Sequence, residues 1–225
     1  MYIKFIKRLI DLFISVLTII FIFPLLILVA IILKFTGEGE IFYFQERVKK
    51  NMNIFKIIKF ATMLKNSPNI GDKLYTAEND ERVLRAGKIF RKTKINELPQ
   101  IFNIIKGDMS VVGPRPLVLE TFRFYSEPGI KKISSIKPGL TGLSSIFFAN
   151  EDKFMKNASN KEEFYKTEIS PVKEKLELYY IDHLSILIDI KIIVSTFLKI
   201  IGISNKLLII FFPDIKKILK DKELF

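Results

Sequence analysis

The chain of 225 residues contains no cysteine and only one histidine, His183. The first absence excludes disulfides and thiolate metal sites and fits a reducing compartment. The second removes imidazole clusters, so any metal must be held by oxygen ligands, a preference that points to Mg²⁺ or Mn²⁺ rather than zinc. Negative charge is also scarce: 24 acidic residues face 36 lysines and arginines, giving a net charge of +12, although 49% of the residues are hydrophobic. Nucleic-acid binders share such charge but rarely such long apolar runs. The sequence shows no binding module and no basic face with interleaved aromatics, so nucleic acid is not expected as a partner. Positive charge beside apolar segments suits the anionic face of a bilayer and polyanionic ligands.

From Leu12 to Leu33 the sequence reads LFISVLTIIFIFPLLILVAIIL, long enough as a helix to cross the hydrocarbon core. It is too long for a signal peptide, and KFTGEGE after it offers no small-x-small cleavage pattern. Lys4, Lys7 and Arg8 precede the run; Lys34, Arg47, Lys49, Lys50, Lys56 and Lys59 follow it. Both flanks therefore favour the cytoplasmic side. Pro24, near the middle, removes a backbone donor and favours a kink. A Pro-broken helix that enters and leaves the same leaflet reconciles these features; an ordinary kinked span is the alternative.

Beyond Gly37 and Gly39 the pattern becomes that of a charged domain. IFYFQERV and IFKIIKF, separated by KKNMN, read as a β-hairpin. NSPNIGDKLYTAEND, from Asn66 to Asp80, reads as a loop. ERVLRAGKIFRKT reads as one short helix carrying Val83, Leu84, Ile89 and Phe90 among basic residues. In KINELPQ, Asn96 is a favoured N-cap and Pro99 suits a first turn. Ile101, Phe102, Ile104 and Ile105 then form an apolar face until Lys106-Gly107 ends the helix. This places Glu97 at a helix start, where anions are favoured. In VVGPRPLV two prolines restrict the backbone around Arg115, which suits a guanidinium held for bidentate phosphate contact. KPGLTGL is a turn that offers Lys137 and Thr141 to an anion.

In this order the segments resemble the bacterial sugar transferases that act as monotopic phosphoglycosyl transferases. The resemblance runs from KRLIDLFISV with Pro24, through FYFQERVKKNMNIFKIIKF, RAGKIFRKTKINELPQIFNIIKGDMSVVGPRP and KPGLTGL, to YYIDHLSILIDIKII, about residues 4 to 200. It implies transfer of a phosphosugar from a UDP-sugar to a polyprenol phosphate, giving a polyprenol diphosphate sugar and UMP, a first membrane step of glycoconjugate assembly. The implied fold is α+β, mainly helical with a short hairpin. It would comprise a re-entrant membrane helix over 1–36, a cytoplasmic catalytic domain over 37–183 and an amphipathic surface region over 184–225. The implied location is the inner membrane, with the catalytic domain facing the cytoplasm. The resemblance also implies Mg²⁺ dependence and downstream glycosyltransferases that extend the product, and it leaves a homodimer open.

By the same resemblance Glu97 matches a metal-associated glutamate, and Arg91 and Arg115 match arginines expected on the diphosphate. Lys59 matches the lysine of a basic motif whose usual arginine, two places later, is here Ala61. The family's nucleophilic aspartate is replaced by Asn96, whose amide cannot form an acyl phosphate. Three outcomes stay open. Glu97 serves as nucleophile, with Asp108 or Asp80 assisting the metal; or polyprenol phosphate attacks directly; or the chain is a weakly active or inactive relative that binds nucleotide sugar or lipid phosphate as a scaffold.

From Leu184 to Ile201, Ser185, Asp189, Lys191, Ser195, Thr196 and Lys199 share one arc at helical spacing, an interfacial pattern that Ile188 and Ile192 interrupt. NKLLIIFFPDIKKILKDKELF adds an apolar patch and a basic tail. His183 has no ligand partners and reads as structural; Asp182 beside it is a candidate for the site.

Overall fold

The computed structural model describes residues 5–69, 80–155, 158 and 160–220. Lys4, most of the 66–80 loop and the end of the basic tail lie outside them.

Helix α1, Lys7–Thr36, runs through Pro24 as a single element. At helical rise this is about 45 Å. Its burial is inside-out for an aqueous protein. In its first half the residues turned inward are Lys7, Asp11 and Ser15, and Leu26, Val29 and Leu33 follow in the second half. Phe5, Leu9, Phe13, Ile20, Phe21, Leu28, Ile31 and Phe35 face outward. The inward polar stripe has partners on distant segments: Lys7 forms a buried ion pair with Asp189, and the Asp11 carboxylate accepts from the Ser110 hydroxyl and the Val111 N–H. The second half packs on Phe60 and Phe90.

Strands β1, Phe42–Val48, and β2, Ile54–Phe60, form the expected antiparallel hairpin, with Tyr43 opposite Lys59 and Arg47 opposite Phe55. Its turn carries Asn51 and Met52 at positive φ. Helix α2 spans Arg85–Lys92, so Val83 and Leu84 precede it rather than belong to it; Val83 bridges to Met63 instead. A 3₁₀ turn, Ile95–Glu97, leads to α3, Gln100–Lys106, which ends on Gly107 at φ +96°, a left-handed C-cap.

The expected N-cap at Asn96 is not formed. The residue preceding α3 is Pro99, no side chain caps the helix, and Asn96 lies inside the 3₁₀ turn. Lys94, left-handed at φ 59°, starts that turn early, so the chain already coils from Ile95, five residues before α3.

Strands β3, Ser110–Val112, and β4, Gly139–Thr141, pair in parallel, on either side of α4, Leu119–Phe122, and α5, Glu127–Ile133. The backbones approach so closely that a Cβ on Gly139 would stand 2.1 Å from the Gly113 nitrogen. Then come α6, Leu143–Phe147; α7, Glu151–Phe154; and α8, Lys161–Phe164. A π-helical turn, Tyr165–Ile169, joins α8 to α9, Ser170–Asp182. Pro171 explains the π turn: it lacks an N–H, and its ring excludes the regular bond to the preceding turn. The largest core gathers around Leu143, Phe147, Leu176 and Tyr180.

Helix α10, Ile186–Ile200, has its Ser185 side chain as N-cap and buries Ile188, Asp189, Ile192 and Ser195. Its exposed side carries Leu187, Ile190, Val194, Phe197 and Ile200. Asp189 and Ser195, in the arc expected to be solvated, thus point into the protein, and the interrupting Ile188 and Ile192 share that inward face. Helices α11, Asn205–Leu208, and α12, Lys216–Lys220, follow, with Leu208 and Leu219 in the main core.

Candidate active site

Three parts of the sequence meet at Glu97. The alternation of the hairpin puts Arg47 and Lys59 on the same face. The outer edge of β2 is closed by the buried Asn103, whose amide donates to the Lys56 carbonyl (2.8 Å) and accepts from the Ile58 N–H (3.0 Å). An amide that mimics a neighbouring strand thereby docks α3 on β2 and fixes Lys59 next to the turn bearing Glu97. The Pro114-Arg115-Pro116 segment comes from the other side.

Glu97 Oε1 accepts from Lys59 Nζ and from Arg115 Nη2, each at 3.3 Å. Both are partly screened ion pairs with little exposure. Burial raises the carboxyl, but Lys59, Arg115 and Lys94 outweigh it and hold Glu97 well below the usual carboxylate range. Glu97 in turn raises Arg115. Burial, together with the Arg47 and Arg115 charges, pushes Lys59 down to about 8 against the pull of Glu97. Arg47 is depressed to about 10 by burial and by Arg115. Arg47, Ile57, Lys59, Gln100, Arg115 and Pro116 line a small open cleft whose own free volume is about 10 Å³. One carboxylate among three cations leaves this cleft electropositive, the requirement for holding a diphosphate.

The Arg115 turn is pinned at each polar handle. The prolines leave the Arg115 amide as the segment's only backbone donor, and it donates to Glu177 Oε1 at 3.0 Å. The Pro114 carbonyl accepts from the Gly139 N–H at 2.8 Å, and the Pro116 carbonyl accepts from Arg47 at 3.2 Å. Glu177 also accepts from the Ser144 hydroxyl, while its Oε2 is buried without a partner. Burial raises Glu177 to about 7 despite Ser144, the Arg115 N–H and the charges of Lys173 and Arg115.

Of the residues singled out in the sequence, Lys59, Glu97 and Arg115 are brought together. Asn96 adjoins them, with its Oδ1 buried and unpartnered. Arg91 lies in the last turn of α2. The others are elsewhere. Asp108, beyond the far end of α3, pairs with Lys49 (2.5 Å) and Lys106 (3.5 Å), and Asp80 pairs with Arg82. Lys137 stands near Arg8 at Gly107. The Thr141 hydroxyl meets that of Thr196 on α10 at 2.6 Å, and Thr196 in turn donates to the Ile192 carbonyl. Asp182 pairs with Lys132 at 2.5 Å, and the His183 ring stacks on Tyr179.

Among the described residues no group of three or more acidic or histidine side chains forms a metal cage. The Glu97 carboxylate and the orphaned Asn96 oxygen, on adjacent residues, suit instead a Mg²⁺ that takes most of its ligands from phosphate and water. Asp108, spent on two lysines across α3, does not belong to that donor set. Arg47, Asn103 and Glu177 had not been singled out for the site. The hairpin alternation that pairs Arg47 with the Lys59 face was a readable signal for the first; the other two depend on contacts distant in sequence.

An electropositive cleft beside helices that turn apolar faces outward suits a protein that works against a membrane on anionic ligands. Residues 2–202 match the family model described as bacterial sugar transferase, and the chain belongs to that family of enzymes. It is 32% identical over 204 residues to the exopolysaccharide production protein ExoY of Sinorhizobium fredii, covering 84% of this chain and 83% of that protein. It is 34% identical to the UDP-N-acetylgalactosamine-undecaprenyl-phosphate N-acetylgalactosaminephosphotransferase of Aeromonas hydrophila, over 85% of this chain and 43% of the relative. It is also 34% identical to the UDP-glucose:undecaprenyl-phosphate glucose-1-phosphate transferase of Klebsiella pneumoniae, over 89% of this chain and 40% of the relative. The chain therefore spans less than half the length of these last two relatives.

Proposed function

We propose that the chain transfers a phosphosugar from a UDP-sugar to polyprenol phosphate, releasing UMP, at the cytoplasmic face of the inner membrane. The observation that carries this reading is the Glu97 carboxylate shared by Lys59 and Arg115 at 3.3 Å beside Arg47. Phosphoryl transfer needs placement and charge neutralisation above all. Lys59, Arg47 and Arg115 supply the neutralisation on a rigid frame, and Glu97 holds the two flexible cations in place until the diphosphate enters.

With Asn96 in place of an acid, the attacking atom is an oxygen of the polyprenol phosphate. It forms a bond to the β-phosphorus as the bridging P–O bond breaks, and the electron pair leaves with UMP. Glu97, doubly ion-paired and held far down its ionised range, is a weak nucleophile, which favours this single displacement. A Mg²⁺ held by Glu97 and the Asn96 oxygen would neutralise charge on the diphosphate when bound.

The membrane arrangement we favour has α1, continuous in the structure, bend at Pro24 so that it enters and leaves one leaflet. Its support is that a single protein body grips both halves of α1, through Asp189, Ser110 and Val111 at one end and Phe60 and Phe90 at the other. A straight span would carry one half away from that body. Because the chain has no native cysteine, single cysteines placed at Phe5 and Phe35 test this directly. Both should be labelled from the cytoplasmic side alone, and labelling of either from the opposite side would reject the arrangement.

Purified chain given UDP-sugars, polyprenol phosphate and Mg²⁺ should release UMP only when the acceptor is present. Stoichiometric UMP release without acceptor, with label retained on the protein, would establish a covalent route instead. No release with any donor would reject the transferase reading for those donors.

A further inference from the structure

Lys137, expected at the phosphate site, stands instead in a second cationic group at the opposite end of α3. Its Nζ and the Arg8 guanidinium lie 3.7 and 3.6 Å from the point where a side chain would begin on Gly107. Lys49 and Lys106 flank the same corner through their pairs with Asp108. Lys50 opens the hairpin turn next to Lys49, which pairs with Asp108; burial and the charges of Arg8 and Lys50 push the Lys137 ammonium below its usual range, with Asp11 and Asp108 opposing. Five cations thus face two carboxylates. Asp11 is committed to Ser110 and Val111, and Asp108 to two lysines. Arg8 is tethered to the carbonyls of Ile104 and Ile105, which fixes its guanidinium at the corner. The net positive charge is therefore gathered on a frame of α1, α3 and the hairpin turn.

The same segments carry exposed apolar side chains: Phe5 just before α1, Leu9 next to Arg8, and Phe102 and Ile105 on α3. An aqueous surface gains nothing from such exposure. At the depth where acyl chains give way to headgroups, both halves are satisfied, the apolar side chains by lipid and the ammonium groups by phosphate. The geometry points to a binding site for the phosphodiester headgroup of an anionic phospholipid, formed by Arg8, Lys50, Lys106 and Lys137 around Gly107 and separate from the Glu97 cleft. It rests on the lipid-facing reading of α1. Its consequence is that a bilayer lipid sets the depth at which α1 and α3 sit.

The test uses the full chain, transferred from detergent to vesicles of phosphatidylcholine alone or mixed with phosphatidylglycerol, and read by flotation at several salt concentrations. Wild type should prefer the anionic vesicles by tenfold or more, with the preference falling as salt rises. The double substitution Lys50→Gln with Lys106→Gln, both exposed positions, should remove most of the preference, and Lys50→Glu with Lys106→Glu should abolish it. Lys166→Gln with Lys175→Gln, an equal charge loss on the α8–α9 rod, should leave it unchanged. Equal loss in that control, or a preference that survives both Lys50/Lys106 variants, overturns the site. Wild type that floats equally with both vesicles removes the headgroup site alone; wild type that floats with neither also removes the lipid-facing reading.

Discussion

The Glu177 carboxylate reaches across from α9 to accept the only backbone N–H of the Pro114-Arg115-Pro116 turn, at 3.0 Å, and takes the Ser144 hydroxyl on the same oxygen. Glu177→Ala would leave both donors buried and unpaired, at about 1–3 kcal/mol each. It should lower stability by roughly 2–6 kcal/mol and raise the KM for the donor by releasing Arg115. Glu177→Gln keeps the accepting oxygen and should retain the wild-type KM. Its pH signature separates the two roles. Glu177 is raised from 4.5 to about 7, so between those values the unfolded state holds fewer protons than the folded one and stability falls as pH rises. Glu177→Gln should therefore melt higher than wild type at pH 8, by up to ~3 kcal/mol, and this gain should vanish by pH 4. Thermal unfolding at the two pH values checks this.

Lys59 gives the opposite sign. Its amine is lowered from 10.5 to about 8, so as pH rises through that window its contribution to folding stability becomes more favourable while its charge disappears. Donor binding should weaken above pH 8. Lys59→Arg, which keeps its charge, should move this alkaline limb upward by at least one pH unit. Titration of donor KM against pH reads the shift directly.

At the centre of the cleft, Glu97→Gln should abolish turnover, by about a hundredfold or more on the scale of a lost electrostatic group, because Lys59 and Arg115 lose the carboxylate that orders them. Asn96→Ala should cost less, since its Oδ1 accepts no hydrogen bond from the protein. Steady-state UMP release from the two variants gives the comparison, and equal activity of Glu97→Gln and wild type would refute the role of Glu97.

Lys7 and Asp189 make a buried ion pair that ties α1 to α10, with Tyr180 also donating to Asp189 at 2.8 Å. Lys7→Met would strand the carboxylate and should cost about 3–5 kcal/mol. Lys7→Met combined with Asp189→Leu should recover most of that loss. Unfolding in detergent measures the coupling.

Local patterns were legible where the cause was local. The alternation of IFYFQERV and IFKIIKF produced the hairpin, and Gly107 ended α3 where the apolar face stopped. Asn96 misled because its cap preference competes with the left-handed Lys94, after which the chain coils from Ile95, five residues before α3. The parallel pairing of β3 with β4 was out of reach. It depends on Gly113 and Gly139 lying against each other, a contact that neither strand's composition announces. Asp189 and Ser195 looked like a wet face because sequence periodicity separates polar from apolar without saying which side meets the protein. Of the site, Lys59, Glu97 and Arg115 were visible as motifs. Glu177 and Asn103 were not, because their work is done on backbone groups far along the chain.

The pairing of Lys7 with Asp189 also carries a timetable. Its two members are separated by 182 positions, and translation proceeds at about 5–20 residues per second. After Lys7 is joined to the chain, roughly 10–35 s pass before the ribosome adds its counter-ion. The apolar helix emerges first, so for that interval its polar stripe has no native shelter, and Asp11 likewise waits for Ser110 and Val111. The final seating of α1 is thus one of the last events in the life of the nascent chain, although its residues are among the first to be made.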